Sequence, residues 1–364
     1  MEKNFKVNNF DLIRILAAIQ VLVLHSIYHL NITDSAWFAP WSFFPGVPIF
    51  YALSGYLISA SYERSTSLKQ YFRNRALRIF PGLWACLLLT VLVTSLLGFN
   101  YINKSAPIWL ISQMFGFIYT PYFLADFGFG SYNGSLWTIS VELQFYMMLP
   151  LVYLLMGKRK QSNNILLLVF LLFLAFTLAT KLWLPGMATD HETKFEKLLR
   201  YSFLPHFYLF LAGVIMQRFQ FYKSEWIHGK GLYWIIGYIA VQSFVATSDI
   251  PALSVFSLLL LTVCAISLAY TGDGLAHKVL KGNDISYGVY IYHGLILSLL
   301  VYLKYMQSPV YLGVVLVGAL VLGYLSWIFV EKPFMLKKKQ TIHQQTQSDP
   351  MVATIADVKI SAGN

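Results

Sequence analysis

Apolar runs of bilayer-spanning length recur along this chain, and that recurrence constrains its fold more than any other feature. A spanning helix needs about 20 predominantly apolar residues. Ten such runs occur, at about 11–30, 45–62, 79–98, 136–156, 163–184, 201–217, 231–248, 252–270, 284–304 and 309–330. The expected fold is all-α, a polytopic membrane protein with about ten transmembrane helices in residues 1–335. Residues 336–364 read as a polar cytosolic tail with the composition of a disordered segment. Composition agrees: only 12% of residues are charged, against about 25% in a soluble domain.

The net charge of +11 does not make a nucleic-acid surface, because the basic residues lie between apolar runs and form no single stripe. With ten spans the loops alternate between two sides, which then hold 20 and 6 basic residues. Basic residues concentrate in cytoplasmic loops, so both termini are expected in the cytosol. The same asymmetry supports the count of ten. The first run is full length, contains Arg14 and lacks a small-residue cleavage site, so it reads as a retained helix. Cys86 and Cys264 both fall inside apolar runs, which suits neither a disulfide framework nor a metal site. The aromatic segment 100–135 reads as an outer-face cap or a re-entrant segment. No internal repeat is evident, which weighs against transporter folds built from repeated halves.

Polar residues inside the runs are the candidates for chemistry. In DLIRILAAIQVLVLHSIYHL, Arg14 and His25 are eleven residues apart, close to three helical turns. They share one face, separated by roughly 16 Å, with Asp11 one turn before Arg14. A guanidinium in a spanning helix costs about 2.5–3.5 kcal/mol, so it faces protein or a wet cavity. His25 is expected roughly 8 Å from the outer end of its helix and Glu142 roughly 9 Å into the helix that starts near Leu136. Imidazole and carboxylate at matching depth suit a general base that takes a proton from a hydroxyl. The alternative is that His25 packs as a satisfied polar residue while Glu142 pairs elsewhere.

Arg73, Arg75 and Arg78 precede the third run in RNRALRIFPGLW, just before the Phe80-Pro81 break. Arg75 and Arg78 are one turn apart, and arginines grip phosphate bidentately. On the residues alone, an ordinary positive-inside loop lying on anionic headgroups is the stronger reading. In FFPGVPIFYALSGYLIS, Gly46, Ser54, Gly55 and Ser59 permit close helix packing, with hydroxyl bonding by Ser54 as the second possibility. His293 sits mid-membrane, where it lines a cavity or bonds a neighbouring helix, and His29 is placed at the interface. Glu331 ends the last run on the same side as the arginine segment and is able to pair with it.

Taken in order, these motifs resemble the acyltransferase-3 family of integral membrane acyltransferases. FDLIRILAAIQVLVLH carries the family's Arg-to-His spacing, IFYALSGYLIS its second helix, and RNRALRIFP its Arg-x-x-Arg-Ile-x-Pro segment. SLWTISVELQFY matches the Ser-Leu-Trp…Glu…Phe-Tyr pattern, and SYGVYIYHGLIL with VEKPF closes the series. One departure is Gly82-Leu83, where an aromatic residue is frequent. The resemblance is to members without the extra-cytoplasmic SGNH hydrolase-like domain of longer ones.

The resemblance implies transfer of an acyl group, usually acetyl, from cytosolic acyl-CoA to a hydroxyl of an outer-face carbohydrate. Arg14, Arg75 and Arg78 would meet the CoA phosphates, and the pantetheine arm would bring the thioester to His25. His25 would be the general base and Glu142 would orient it; an acetyl-His25 relay is a variant. No permanently bound cofactor is implied, with acetyl-CoA as donor substrate. The expected acceptor is an O-antigen, capsule or exopolysaccharide, or its lipid-linked precursor. The expected site is the bacterial inner membrane, with lipids and no nucleic acid as partners. The rival reading is a proton-coupled transporter or translocase of lipid-linked sugars, in which Arg14, His25 and Glu142 form a proton relay. A non-catalytic scaffold has no need for three aligned ionisable residues.

Overall fold

A computed structural model of the chain describes residues 8–32, 36–157, 162–184, 186–187, 191–248, 250–272 and 274–336. Among these residues the regular structure is helical, with no strand. The helices are α1 (Phe10–His29), α2 (Gly46–Glu63), α3 (Leu68–Leu96), α4 (Ser105–Met114), α5 (Trp137–Met156), α6 (Ser162–Trp183) and α7 (Lys194–Arg200). They continue as α8 (Phe207–Arg218), α9 (Gly231–Ala246), α10 (Pro251–Ala269), α11 (Leu275–Leu280), α12 (Ser286–Tyr302) and α13 (Pro309–Ser326). A π-helical turn, Trp327–Glu331, follows α13. The polar tail at 336–364 lies outside the described residues, apart from Leu336.

Among the described residues, seven helical segments are long and apolar enough to cross a membrane. Three shorter apolar helices, α8, α9 and α12, fall where the sequence places the remaining spans. Leu88, Leu92 and Leu96 leave a one-turn-spaced stripe of α3 exposed, as a face against hydrocarbon requires. With no water-driven attraction between helices in lipid, close backbone approach must hold the bundle together. The α2–α8 crossing shows this approach: a methyl on Gly55 would lie 1.9 Å from the Phe210 carbonyl oxygen, and one on Gly213 would lie 2.0 Å from that of Ala52. Gly288 and Gly323 make the equivalent approach between α12 and α13.

Two features place the site. Asn9 ties the start of α1 down: its side chain donates to the Thr271 and Gly272 carbonyls at 2.8 and 2.9 Å and accepts from the Ala276 N–H at 2.8 Å. Arg14 is thereby brought close to the start of α12. The segment 100–135 tucks into the bundle. It buries Trp109, Phe127 and Tyr132 completely or nearly so. Asn133 donates to the Ile291 carbonyl at 2.8 Å and Ser135 to that of Tyr290 at 3.2 Å, so α5 begins against the middle of α12.

The expected break at Phe80-Pro81 is absent. The helix runs unbroken through Pro81, and Arg73, Arg75 and Arg78 lie within it, not in a loop. Proline removes one N–H donor, but neighbouring side chains in a bundle can satisfy the backbone it disturbs. Tyr287 of α12 donates to the Ile79 carbonyl at 2.9 Å beside this turn, while the carbonyl that Pro81 leaves without its helical donor is that of Leu77. Gly82 is the seat of that same ring, since a methyl there would lie 2.7 Å from Tyr287. The bulk absent from the third helix at this level is thus supplied by α12.

Candidate active site

The site has two ends and a neck. At one end, Asp284, just before α12, draws two arginines together. Arg14 Nη1 donates to Asp284 Oδ2 at 2.5 Å, and Arg78 donates to the same oxygen. Ser286 donates to the other carboxylate oxygen at 2.5 Å. Burial alone would push the Asp284 carboxyl up. The Arg14 and Arg78 guanidiniums, helped by Ser286, outweigh it and hold the carboxyl well below the usual carboxylate range. Glu331 lies 3.9 Å from Arg78, and Asp11 lies 3.9 Å from Arg14. Buried charges persist only when paired in this way.

Arg75 differs from both. Its Nη2 donates to Ser61 at 3.2 Å, and its guanidinium stands 5.9 Å from the Tyr146 ring centre. Its Nε is buried without a hydrogen-bond partner, and among the described residues no carboxylate lies within ion-pairing distance. A cavity of about 300 Å³ opens here, lined by Asp11, Arg14, Arg75, Arg78, Glu142 and Asp284 among others.

Glu142 stands at the neck. Its Oε1 accepts from Ser54 at 2.9 Å and from Tyr146 at 2.6 Å. Beyond it a narrow cavity of about 40 Å³ continues, lined by Tyr51, Thr138 and Tyr290. That is room for about three water molecules. The two cavities share Arg14, Ser54, Glu142 and Tyr287. The Tyr51 hydroxyl is buried beside the narrow cavity without a partner among the described residues.

The far end is built from rings. His25 Nδ1 lies 3.2 Å from His293 Nε2. The His293 ring packs edge-on against Tyr290 at 5.7 Å, and Tyr290 lines the narrow cavity. His29 is edge-on to His25 at 6.0 Å and stacks on Phe129 of the tucked segment at 3.6 Å.

The matching-depth expectation for His25 and Glu142 is corrected here. The partner of His25 is His293, while Glu142 is held by Ser54 and Tyr146. The reason is the tucked segment. Because α5 begins level with Tyr290, Glu142 falls near Tyr287, and Tyr287 is roughly 9 Å along α12 from His293. Sequence reading also missed Asp284, Tyr146, Tyr287 and Tyr290. Asp284 had one usable signal, since it opens α12 on the same side of the bundle as the arginines.

A profile of the Acyl_transf_3 family, described as an acyltransferase domain, matches residues 7–328. The chain belongs to the acyltransferase-3 family. It is an O-acetyltransferase enzyme of the membrane-embedded kind, and the transporter alternative gives way. It is 30% identical over 355 residues to nodulation protein 10 of Rhizobium leguminosarum bv. viciae, covering 90% of this chain and 93% of the relative. The O-acetyl transferase of Shigella phage Sf6 is 26% identical over 347 residues, covering 91% of this chain and 97% of that protein. The peptidoglycan O-acetyltransferase OatA of Listeria monocytogenes is 25% identical over 360 residues, 90% of this chain but 55% of that longer protein. No solved structure matches the chain.

Proposed function

We propose that this acyltransferase moves an acetyl group from acetyl-CoA, admitted at the arginine end, to a hydroxyl of a surface polysaccharide or its lipid-linked precursor at the histidine end. The observation that carries the reading is the shared neck. Arg14, Ser54, Glu142 and Tyr287 line both cavities, so one path leads from Arg75 to Tyr290, the ring against His293. The printed activities of the phage and Listeria relatives support O-acetyl transfer and a cell-surface glycan as acceptor. The 20-to-6 basic asymmetry supports a cytosolic arginine end and cytosolic termini in a bacterial inner membrane.

In this reading the arginines divide the work. Asp284 already engages Arg14 and Arg78, so these two build the wall of the donor site. Arg75 keeps free donor capacity for a CoA phosphate. The pantetheine arm passes Glu142 and brings the thioester toward His25. His25 takes the proton of the acceptor hydroxyl, whose oxygen then attacks the thioester carbonyl carbon. Tyr51 donates to the oxyanion that develops. The carbon–sulfur bond breaks, the thiolate of CoA leaves, and the imidazolium of His25 returns the proton to it. The products are an O-acetyl ester and free CoA, and His25 is neutral again.

Reconstituted protein supplied with acetyl-CoA and glycan from its host tests this. The expected result is thiol release matched by ester-linked acetate on the glycan. Well-inserted protein that leaves acetyl-CoA intact would overturn the reading.

A further inference from the structure

The two histidines at the far end are unequal. His293 is fully enclosed, with 0% of its surface exposed, whereas His25 is only half-buried. Only His25 is able to meet an acceptor. His293 Nδ1 lies 3.3 Å from the Val289 carbonyl oxygen. A carbonyl only accepts, so His293 Nδ1 carries the hydrogen. No carboxylate among the described residues lies within hydrogen-bonding distance of His293, and an enclosed, unpaired cation costs several kcal/mol. The ring is therefore neutral, and its Nε2 carries a lone pair. His25 Nδ1, 3.2 Å away, must donate to it. A neutral imidazole has a single N–H, so His25 Nε2 is left as the lone-pair nitrogen.

We infer that His293 is a positioning residue that holds His25 in its Nδ1–H form, leaving Nε2 as the nitrogen that accepts the hydroxyl proton. The inference rests on the proposed role of His25 as proton acceptor. The surroundings keep His293 fixed. Asn133 and Ser135 hold the neighbouring Ile291 and Tyr290 carbonyls, and a methyl on Gly294 would lie 2.0 Å from Asn133 Oδ1. The register of α12 at His293 is thus clamped from both sides of the residue. A second nitrogen oriented through a fixed hydrogen bond is how buried partners tune a working histidine.

Three variants in reconstituted protein test this, read as donor kcat and KM. His293→Leu removes the acceptor. We expect kcat to fall about 10- to 100-fold, with donor KM near its native value. His293→Gln restores a carbonyl acceptor in the same enclosed place, and is expected to recover most of kcat. His25→Ala is the control for the underlying reading and is expected to be inactive. Nitrogen-15 spectra of the native protein should show His25 with Nδ1 protonated and Nε2 bare. Native kcat in His293→Leu beside an inactive His25→Ala would overturn the positioning role alone. Equal damage in the Gln and Leu variants would reduce His293 to packing and also overturn it. If His293→Leu fails to insert, the spectrum decides, and a His25 protonated on Nε2 would refute the proposal. An active His25→Ala would overturn the proton-acceptor reading and this inference together.

Discussion

The arginine cluster and the histidine cluster solve opposite electrostatic problems. The first gathers three guanidiniums around a wide cavity that Asp11 and Asp284 also line, with Glu331 beside Arg78. The second is made of neutral rings, with hydrogen bonds and stacking in place of ion pairs among the described residues. Under the proposed function, paired charge suits an end that would receive a polyanion without unfolding when it is absent. A neutral, orientation-fixed imidazole suits the end where a proton changes hands, because a nearby fixed charge would commit its protonation in advance. Glu142, bonded to two hydroxyls at the neck, separates the two environments.

The largest effect expected from breaking this contrast comes at the ring end. His25→Ala should cut acetylated glycan per inserted protein by about 10²–10⁴-fold, the usual cost of losing a general base. Retention of more than about a tenth of native transfer would remove His25 from that role. At the charged end, Asp284→Ala leaves two largely buried guanidiniums, with side-chain exposures of 19% for Arg14 and 12% for Arg78, only their 3.9 Å contacts to Asp11 and Glu331. Removing one partner of a buried pair costs about 3–5 kcal/mol, so thermal unfolding in detergent should move sharply downward. An unchanged transition would mean that the clamp is no part of the fold.

The smallest effect concerns pH. The Asp284 carboxyl is held below its ordinary value. A lowered carboxyl contributes stability that is complete above the unfolded value, near pH 3.9, and is lost only as pH falls through the folded value. The stability gap between native protein and Asp284→Asn should therefore narrow as pH falls below about 4. A gap that stays constant as the pH is taken below that value would show that Asp284 is not held as a carboxylate by the arginines.

Much of this arrangement is legible in the sequence, because apolar length and one-turn spacing are local signals. The all-helical membrane fold follows from the runs, and the shared face of Arg14 and His25 follows from eleven residues of helical rise. Pro81 misled, because a proline costs one helical hydrogen bond and clashes locally, and the bundle packed around α3 carries the helix through it. Glu142 misled for a related reason. Depth counted from a helix end assumes that the end lies at the surface, and the tucked segment places the start of α5 inside the bundle. Asp284 carries no periodic signature, and its partners are 270 and 206 residues away. The difference between Arg75 and Arg78, adjacent on one helix and alike in type, exists only once Asp284 is in place.

In the proposed function the acyl donor is held at the arginine end, by Arg75 in particular, apart from the chemistry at His25. Binding of CoA to reconstituted protein tests this most directly, measured on native, Arg75→Ala and His25→Ala forms. Loss of a charge-assisted phosphate bond is worth about 1.5–3 kcal/mol, so Arg75→Ala should weaken Kd about ten- to a hundredfold. His25→Ala should bind CoA as the native protein does. Native affinity in Arg75→Ala, or weakened affinity in His25→Ala, would contradict the division between the two ends.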